Sequence, residues 1–142
     1  MINIPTMTKS SPKNTYIYSY GRRKSAVASV KLFQGIGEST VNGNALSKYF
    51  PGVSYLVKYD RPFKTTETEG KFYFQAKIVG GGKAGQVDAL ILAISRSLVK
   101  LDPTYKPALR LADLMTVDSR VRERRMVGTG GKARRQKQSP KR

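Results

Sequence analysis

The sequence predicts a single domain in which β-strands pack against one long amphipathic helix, followed by a basic C-terminal tail. A chain of 142 residues is the usual size of one domain. Apolar residues alternate with period two in several segments, which is typical of half-buried strands, and recur with helical spacing after the glycine run at residues 80–82. Half of the formal net charge of +18 falls between residues 120 and 142, so the globular part of the chain and its basic C-terminal end are expected to have different functions.

Three strands are predicted by alternation, and a shorter one by the turn that follows it. Residues 16–20 alternate tyrosines with smaller residues, and residues 26–32 repeat apolar side chains at every second position. Residues 72–79 are apolar on one face and mixed on the other, which favours a central strand. Residues 38–42 form a short strand that ends at Asn42-Gly43, a strong turn dipeptide.

The main core helix is predicted over residues 87–101, where apolar side chains recur at i, i+3 or i+4 and i+7. It ends before Pro103, because a residue that precedes proline is biased away from helical angles. Shorter helices are predicted at residues 45–50, 53–58, 107–113 and 118–126.

The composition excludes most kinds of catalytic and metal site. The chain has no Cys and no His, which removes structural zinc, disulfides, thiol nucleophiles and every imidazole-dependent triad. Glu67 and Glu69 lie in a polar segment that is expected to form an exposed, hairpin-like loop rather than a catalytic pair. We therefore expect no enzyme activity, no cofactor and no metal.

The charge balance points to a polyanionic partner. The chain carries 27 Lys and Arg against 9 Asp and Glu, and nucleic acid is the leading candidate. The longest apolar run, residues 89–94, is far shorter than the roughly 20 residues of a membrane-spanning helix, so no membrane partner is expected. The first fifteen residues lack the apolar core of a signal peptide, a transit peptide is disfavoured, and a cytoplasmic location is expected.

Basic residues follow the tyrosines of the first strand. Arg22, Arg23 and Lys24 are adjacent, cannot all face one side of a strand, and are expected to project outward from a bend or edge. Tyrosines beside such charges suit base stacking. Packing against the core helix is nevertheless the favoured interpretation of the three tyrosines, and a merely solvated patch is the alternative for the charges.

The segment Gly80-Gly81-Gly82-Lys83 lies between a predicted strand and the core helix, where phosphate-binding loops occur. It does not match a Walker loop, because Ala84 stands where magnesium binding needs Ser or Thr. The dinucleotide fingerprint also fails, for want of a suitably placed acid. Two interpretations stay open: the glycines permit a tight turn with close packing, or they let backbone amides approach an RNA phosphate.

The C-terminal segment is the most basic part of the chain. Beyond residue 127 its only apolar side chain is Ala133, so it cannot bury a core and is expected to be disordered alone. Extended at about 3.3 Å per residue, residues 128–142 span up to roughly 50 Å and could thread between RNA helices. The alternative is a basic tail that only solubilises or localises the protein. We divide the chain into an N-terminal extension (1–15, expected to be disordered), a globular domain (16–127) and a tail (128–142).

A series of motifs occurs in a consistent order from about Tyr16 to Arg142. They comprise Tyr18, Gly21, Arg22, Arg23, Lys24, Ala26 and Ala28; Val41-Asn42-Gly43; Tyr49-Phe50; Gly80-Gly81-Gly82, Gly85, Gln86, Ala89, Ala93, Arg96 and Leu98; Asp118-Ser119-Arg120 and Glu123-Arg124-Arg125; and Lys132-Ala133-Arg134-Arg135 with Lys141-Arg142. Together these motifs resemble the family of the ninth protein of the small ribosomal subunit, in its bacterial form.

The resemblance implies an α+β fold with a four-stranded sheet backed by helices, like the second domain of the fifth small-subunit protein. That fold contains a left-handed β-α-β connection, against the usual handedness rule. The resemblance also implies binding to ribosomal RNA in the subunit head beside neighbouring ribosomal proteins, and no homo-oligomer is expected. The residues predicted to bind ribosomal RNA are Arg22, Arg23, Lys24, Gly80, Gly81, Gly82, Lys83, Arg120, Arg122, Arg124, Arg125, Lys132, Arg134, Arg135 and Lys137.

The end of the tail is assigned a separate role by the resemblance, since in that family the last residues approach the peptidyl-site transfer RNA. This role carries over to Lys141 and Arg142. Pro140 departs from the family, which has serine before the final Lys-Arg, and fixes a different local backbone direction. The alternative to a ribosomal protein is an architectural basic DNA-binding protein, and a nucleotide-dependent enzyme comes third.

Overall fold

The computed structural model describes residues 15–124, which form a mixed sheet with helices packed on one face. Residues 1–14 of the predicted N-terminal extension (1–15) and the whole predicted tail (128–142) lie outside the described residues. The elements in chain order are β1 Tyr16–Arg23, β2 Ala26–Gln34, β3 Thr40–Val41, β4 Asn44–Ala45, α1 Leu46–Tyr49, α2 Val53–Thr65, β5 Phe72–Val79, α3 Lys83–Leu101, a 3₁₀ turn Pro103–Tyr105 and α4 Lys106–Leu111.

The sheet has the order β1-β2-β5-β3-β4, so β5 is the central strand, as predicted. β1, β2 and β5 are antiparallel neighbours, whereas β3 runs parallel to β5. The predicted sheet had four strands, and the structure has five. The fifth is β4, which pairs with β3 because Asn42 and Gly43 have φ values of 50° and 79°, the left-handed geometry of a tight two-residue hairpin turn.

The core lies between α3 and the inner faces of β2 and β5. Alternate residues of both strands are buried, and α3 meets them with the apolar stripe that its sequence period predicts. The phenyl rings of Phe63 on α2 and Phe74 on β5 stack with centroids 6.4 Å apart, which fixes α2 over the same face. The largest fully buried side chains of this core include Leu32, Val30, Phe74, Leu90, Ile94 and Leu98.

Small residues on the inner side of β1 set its distance from α3. Ser19 is buried, its Oγ donates a hydrogen bond to the Ala93 carbonyl at 2.6 Å, and it also lies 2.6 Å from Ser97 Oγ. A Cβ at Gly21 would overlap the Ala89 carbonyl oxygen and would lie 2.7 Å from the Ala93 nitrogen. The backbone of α3 therefore rests directly on that of β1.

This close approach decides which way the tyrosines of β1 point. Because Ser19 and Gly21 face α3, Tyr16, Tyr18 and Tyr20 lie on the opposite face of the sheet, where 46%, 50% and 59% of each residue is exposed. The prediction that the three rings pack against the core helix is therefore wrong. A helix whose backbone touches the strand leaves no room for rings between them.

The helices follow the prediction in place but not always in length. α3 ends at Leu101 as predicted, and α1 and α4 lie within or close to their predicted ranges. α2 continues seven residues past its predicted end and includes the buried Pro62. Its last turns are held by Tyr59 and Phe63, which are buried in the core.

The connection between α2 and β5 differs from the predicted hairpin-like loop. Glu67 and Glu69 are exposed, as expected, but they lie between a helix and a strand. Thr66 and Thr68, which alternate with these glutamates, are buried, with their hydroxyl oxygens 2.7 Å apart. The segment is therefore a packed connection whose alternate residues face the core.

Candidate nucleic-acid interface

The Arg22-Arg23-Lys24 segment lies at the turn of the β1–β2 hairpin and does not act as one unit. Arg22 and Lys24 are exposed, and Lys24 has a φ of 53° in the turn. The expectation that all three side chains project outward is wrong for Arg23, whose side chain is only 15% exposed. Arg23 faces the helical layer, whereas its two neighbours are exposed to solvent, with the Arg22 Nε donating a hydrogen bond to the Lys24 carbonyl at 3.4 Å.

Arg23 ties the C-terminal segment to the body. Its Nη2 lies 3.1 Å from the Asp118 carboxylate, and its Nη1 donates to the carbonyls of Arg120 at 2.8 Å and Asp118 at 3.4 Å. A weaker approach of 3.9 Å joins its Nε to Asp88 on α3. The chain leaving α4 is thus brought back to the β1–β2 hairpin.

The predicted helix at residues 118–126 is absent from its described part, since residues 118–124 form neither helix nor strand. Asp118 instead accepts three side-chain hydrogen bonds from Arg120, at 2.6–3.1 Å, and one from the Arg120 backbone nitrogen at 3.0 Å. These hydrogen bonds from Arg120, with a smaller contribution from the Arg23 charge, hold the pKa of Asp118 well below its usual range. The segment has no apolar face that a helix could bury against the core, and Asp118 pairs with Arg120 two residues away.

Exposed cations from three parts of the chain converge beside the hairpin. A groove of about 360 Å³ is lined by Arg22, Arg23, Arg120 and two residues of α2, Lys58 and Arg61, together with Asp88, Asp113 and Asp118. A smaller adjoining groove of about 240 Å³ lies between Arg22, Lys24 and residues 117–121. We call the exposed cations of the two grooves the basic rim: Arg22, Lys24, Lys58, Arg61 and Arg120.

The sequence analysis missed two members of the basic rim, Lys58 and Arg61. Both lie on α2, whose predicted range ends at residue 58, so Arg61 falls outside every predicted element. Arg122 and Arg124 are exposed on the chain that continues from the rim. The predicted RNA-binding and transfer-RNA-binding residues after Arg124 lie outside the described residues: Arg125, Lys132, Arg134, Arg135, Lys137, Lys141 and Arg142.

The glycine turn packs against the same hairpin. Gly80 and Gly81 have φ values of 75° and 68°, which side chains rarely adopt. A Cβ at Gly80 would lie 2.5 Å from the Ser25 carbonyl oxygen, and one at Gly81 would lie 2.8 Å from the Ala26 Cβ. The structure thus supports the tight-turn interpretation for these two glycines, whereas a Cβ at Gly82 would meet no atom within 4 Å.

Lys83, the first residue of α3, is held against α1. Its Nζ donates to the Tyr49 carbonyl at 3.0 Å and lies 3.5 Å from the centre of the Tyr49 ring. Gln86 accepts from the Tyr49 hydroxyl at 3.2 Å and donates to the Gly80 carbonyl at 3.0 Å. These contacts occupy the side chains that a nucleotide-binding loop would direct at phosphates.

Two carboxylates outside the basic rim have shifted pKa values, and neither belongs to a candidate metal site in the described part of the chain. Within residues 15–124, no group of three potential ligands could hold a metal ion. Burial raises the pKa of Asp60, and nearby Glu69 raises it further against the opposing effect of Lys64. A hydrogen bond from the Thr104 backbone lowers the pKa of Asp102 at the end of α3. The surroundings of Asp60 and the hydrogen bond of Asp102 thus account for both pKa shifts.

Comparison with known proteins decides the family. A model of the family described as ribosomal protein S9/S16 matches residues 21–142. The small ribosomal subunit protein uS9 of Methylacidiphilum infernorum is 43% identical over 124 residues, which cover 87% of this chain and 91% of that protein. The uS9 protein of Maridesulfovibrio salexigens is 42% identical over 114 residues, which cover 80% of this chain and 88% of that protein. The chain belongs to the ribosomal protein S9 family.

Membership of the ribosomal protein S9 family confirms the resemblance drawn from the sequence motifs. Proteins of this family are structural and non-enzymatic, so the prediction that the chain is not an enzyme is confirmed by the family. In the part of the chain that the structure describes, no helix is both long and apolar enough to cross a membrane.

Proposed function

We propose that the protein is a structural constituent of the small ribosomal subunit in the cytoplasm, where it binds ribosomal RNA in the subunit head. The family and the names of the two relatives support the subunit. The observation that carries the RNA-binding part is the basic rim, where Arg22, Lys24 and Arg120 are exposed around adjoining grooves. Such grooves can seat phosphates between several cations at once.

The pairing at Asp118 supports this use of the rim. Asp118 neutralises much of Arg23, which is largely buried, but Arg120 remains 85% exposed on the outer side of the same carboxylate. Arg120 is thus oriented by one hydrogen-bonded partner while its outer surface stays open to solvent. We expect a phosphate to approach Arg120 and Arg22 from that side, because fixed guanidinium groups bind phosphate with less loss of side-chain entropy.

The other predicted RNA-binding residues have unequal support. Gly82 lies at the N-terminus of α3 with open space around its Cα, so a backbone could approach it. Gly80, Gly81 and Lys83 act through the shape of the turn, because their surroundings are filled by the hairpin and α1. We propose that Arg23 acts indirectly, by placing Arg120 beside the hairpin.

For the tail we propose that residues 128–142 extend along RNA and that Lys141 and Arg142 reach the peptidyl-site transfer RNA. The support is the family resemblance and the six basic groups in this segment. We further propose that the domain shares the left-handed β-α-β fold of the second domain of the fifth small-subunit protein, with β3 and β5 as its parallel pair.

The free edge of the sheet supports a role as a single copy among neighbouring ribosomal proteins. The outward carbonyls of Tyr18 and Tyr20 on edge strand β1 accept hydrogen bonds from Lys100 at 2.7 Å and Arg96 at 2.9 Å. Covering an edge with charged side chains disfavours strand-to-strand pairing between copies. We therefore propose that the protein does not form a homo-oligomer through β1.

A pair of double variants tests the basic rim against net charge alone. Arg22→Ala with Lys24→Ala removes two rim cations, and Arg110→Ala with Lys106→Ala removes the same charges from exposed positions on α4. We expect the rim variant to bind small-subunit ribosomal RNA at least tenfold more weakly and to enter subunits poorly, because each phosphate contact is lost together with its geometry. The α4 variant should be affected much less.

Equal losses in the two double variants would contradict the rim as a specific surface. Duplex DNA serves as the competitor in the same titrations, and tighter binding to it would favour the architectural DNA-binding alternative. For the tail, deleting Lys141 and Arg142 should leave subunit yield unchanged and weaken transfer RNA binding at the peptidyl site by about tenfold, the value of one charge-assisted contact. The variant Pro140→Ser should strengthen it if Pro140 misdirects the last two residues.

A further inference from the structure

The face of the sheet opposite the helices forms a second surface, which shares only Arg22 with the basic rim. Along β1 it presents the three exposed tyrosines, and along β2 and β5 it presents polar and basic side chains. A shallow cavity of about 860 Å³ lies over it, bordered by Tyr18, Lys31, Gln75 and Lys77. We call this surface the open face.

Strand register places aromatic and basic side chains side by side on the open face. Tyr18 is the cross-strand partner of Lys31. Tyr20 is the partner of Ser29, which in turn pairs with Lys77 on β5. Two exposed rings on the edge strand are thus followed, across the sheet, by two ammonium groups.

One end of the open face is closed by packed aromatic rings. Tyr16 and Phe33 lie with ring centroids 5.7 Å apart, and Phe33 stacks on Tyr73 at 5.0 Å. Further along β1, the Arg96 guanidinium lies 5.3 Å from the centre of the Tyr20 ring and so helps to orient it. Tyr18 therefore borders the cavity beside the lysines, and Tyr20 lies next along the strand on the same face with 59% of the residue exposed.

The charge of the open face has a single sign. The five strands contain no Asp or Glu, and the charged strand residues on this face are Arg22, Lys31 and Lys77. A surface of exposed rings interleaved with cations fits a ligand that has flat apolar groups on a regularly charged backbone. Unpaired RNA has this chemistry, because its bases can stack on rings while its phosphates meet lysines.

We propose that the open face binds an unpaired RNA segment, with bases stacked on Tyr18 and Tyr20 and phosphates against Lys31 and Lys77. This inference rests on the proposed RNA-binding function and adds to it a second contact surface with a defined type of RNA. Base-paired RNA is a poorer fit, since its bases are already stacked and their flat faces are covered. A protein partner would need an acidic, aromatic-binding surface to match the same residues.

Two probes of equal length and charge separate stacking from charge. The full-length protein is titrated with a ten-nucleotide oligouridine and with a ten-unit abasic ribose-phosphate chain, which keeps the phosphates and lacks the bases. We expect oligouridine to bind the wild type about tenfold or more tightly than the abasic chain, the usual size of a base–aromatic contact. Tyr18→Ala and Tyr20→Ala should each reduce that ratio severalfold, whereas Tyr18→Phe should preserve it.

Equal binding of the two probes to the wild type would overturn the proposal, and this comparison needs no variant to fold. Undiminished preference for oligouridine in both alanine variants would also overturn it, as would variants that lose only the association with other subunit proteins. A variant of the basic rim on α2, Lys58→Ala with Arg61→Ala, separates this test from the proposed function, because neither residue lies on the open face. It should keep the oligouridine preference while losing affinity for structured ribosomal RNA.

Discussion

A single methyl group at Gly21 should separate β1 from α3. Ordinary contacts of a Cβ begin at about 3.4 Å, whereas in Gly21→Ala the new Cβ would lie 2.7 Å from the Ala93 nitrogen and would overlap the Ala89 carbonyl. Both neighbours are helix backbone and cannot rotate away, so α3 must retreat by about 0.7 Å or more, the difference between those distances.

The retreat weakens every contact along this side of the helix. A gap of 0.5–1 Å forfeits about a quarter to a half of each dispersion contact, and overpacking itself costs about 1–3 kcal/mol. The buried Ser19 hydroxyl also loses good geometry to the Ala93 carbonyl. We expect a loss of about 3 kcal/mol in the free energy of unfolding, which corresponds to a fall of roughly 10–20 °C in Tm for a domain of this size.

Thermal and urea unfolding of the full chain measure this loss, with Gly82→Ala as the matched control. Gly82 has a φ of −97° and open space at its Cα, so its alanine variant should stay within about 0.5 kcal/mol of the wild type. If Gly21→Ala were as stable as Gly82→Ala, the direct backbone packing of α3 on β1 would be refuted. The orientation of the tyrosines would then need another explanation.

Other predictions concern the C-terminal segment, an acid and the tail. Arg23→Met should lower the free energy of unfolding by about 1–2 kcal/mol, because it removes the hydrogen bonds to the carbonyls of residues 118 and 120. Amide hydrogen exchange in that segment should become faster. The control variant Arg22→Met should show neither effect. Asp60→Asn should raise Tm at pH 7. Burial raises the pKa of Asp60 in the folded state above its unfolded value, so the wild type loses stability as pH rises through the folded pKa and Asp60 becomes charged. The difference in Tm between variant and wild type should vanish in acid, where Asp60 is protonated. Deleting residues 128–142 should reduce the slope of log affinity for RNA against log salt by about 0.7–0.9 for each phosphate the tail contacts, and an unchanged slope would mean that the tail does not bind.

The periodicity of apolar residues alone was sufficient to locate the central strand and the core helix. The alternation in β5 and the i, i+3/i+4 spacing in α3 report burial within one element, which the sequence contains directly. Alternation in β1 separated two faces but did not say which one is inside. Hydrophobicity favoured the face with the tyrosines as the buried one. Ser19 and Gly21 are buried instead, because α3 can approach the backbone of β1 only over small residues.

The basic rim could be predicted only in part because it depends on contacts between distant residues. Arg22, Lys24 and Arg120 were identified as basic, but the link from Arg23 to Asp118 spans 95 positions and leaves no local pattern. Lys58 and Arg61 were missed because nothing in the sequence of α2 indicates that its basic side chains lie beside the β1–β2 hairpin, and Arg61 also lies beyond the predicted end of the helix at residue 58. The predicted helix at 118–126 failed for a related reason, since arginines four apart indicate a helix only when an apolar face accompanies them.

Directed hydroxyl-radical cleavage tests most directly whether the hairpin end of the domain faces ribosomal RNA. The chain has no Cys, so a single cysteine can carry a tethered iron at a chosen place. Ser25→Cys lies in the hairpin turn, and Thr104→Cys follows the far end of α3, about 28 Å away along its 19 residues. In reconstituted small subunits, Ser25→Cys should cleave ribosomal RNA strongly and Thr104→Cys weakly. Assembled subunits in which Ser25→Cys produces no cleavage would contradict the basic rim as the RNA-binding surface.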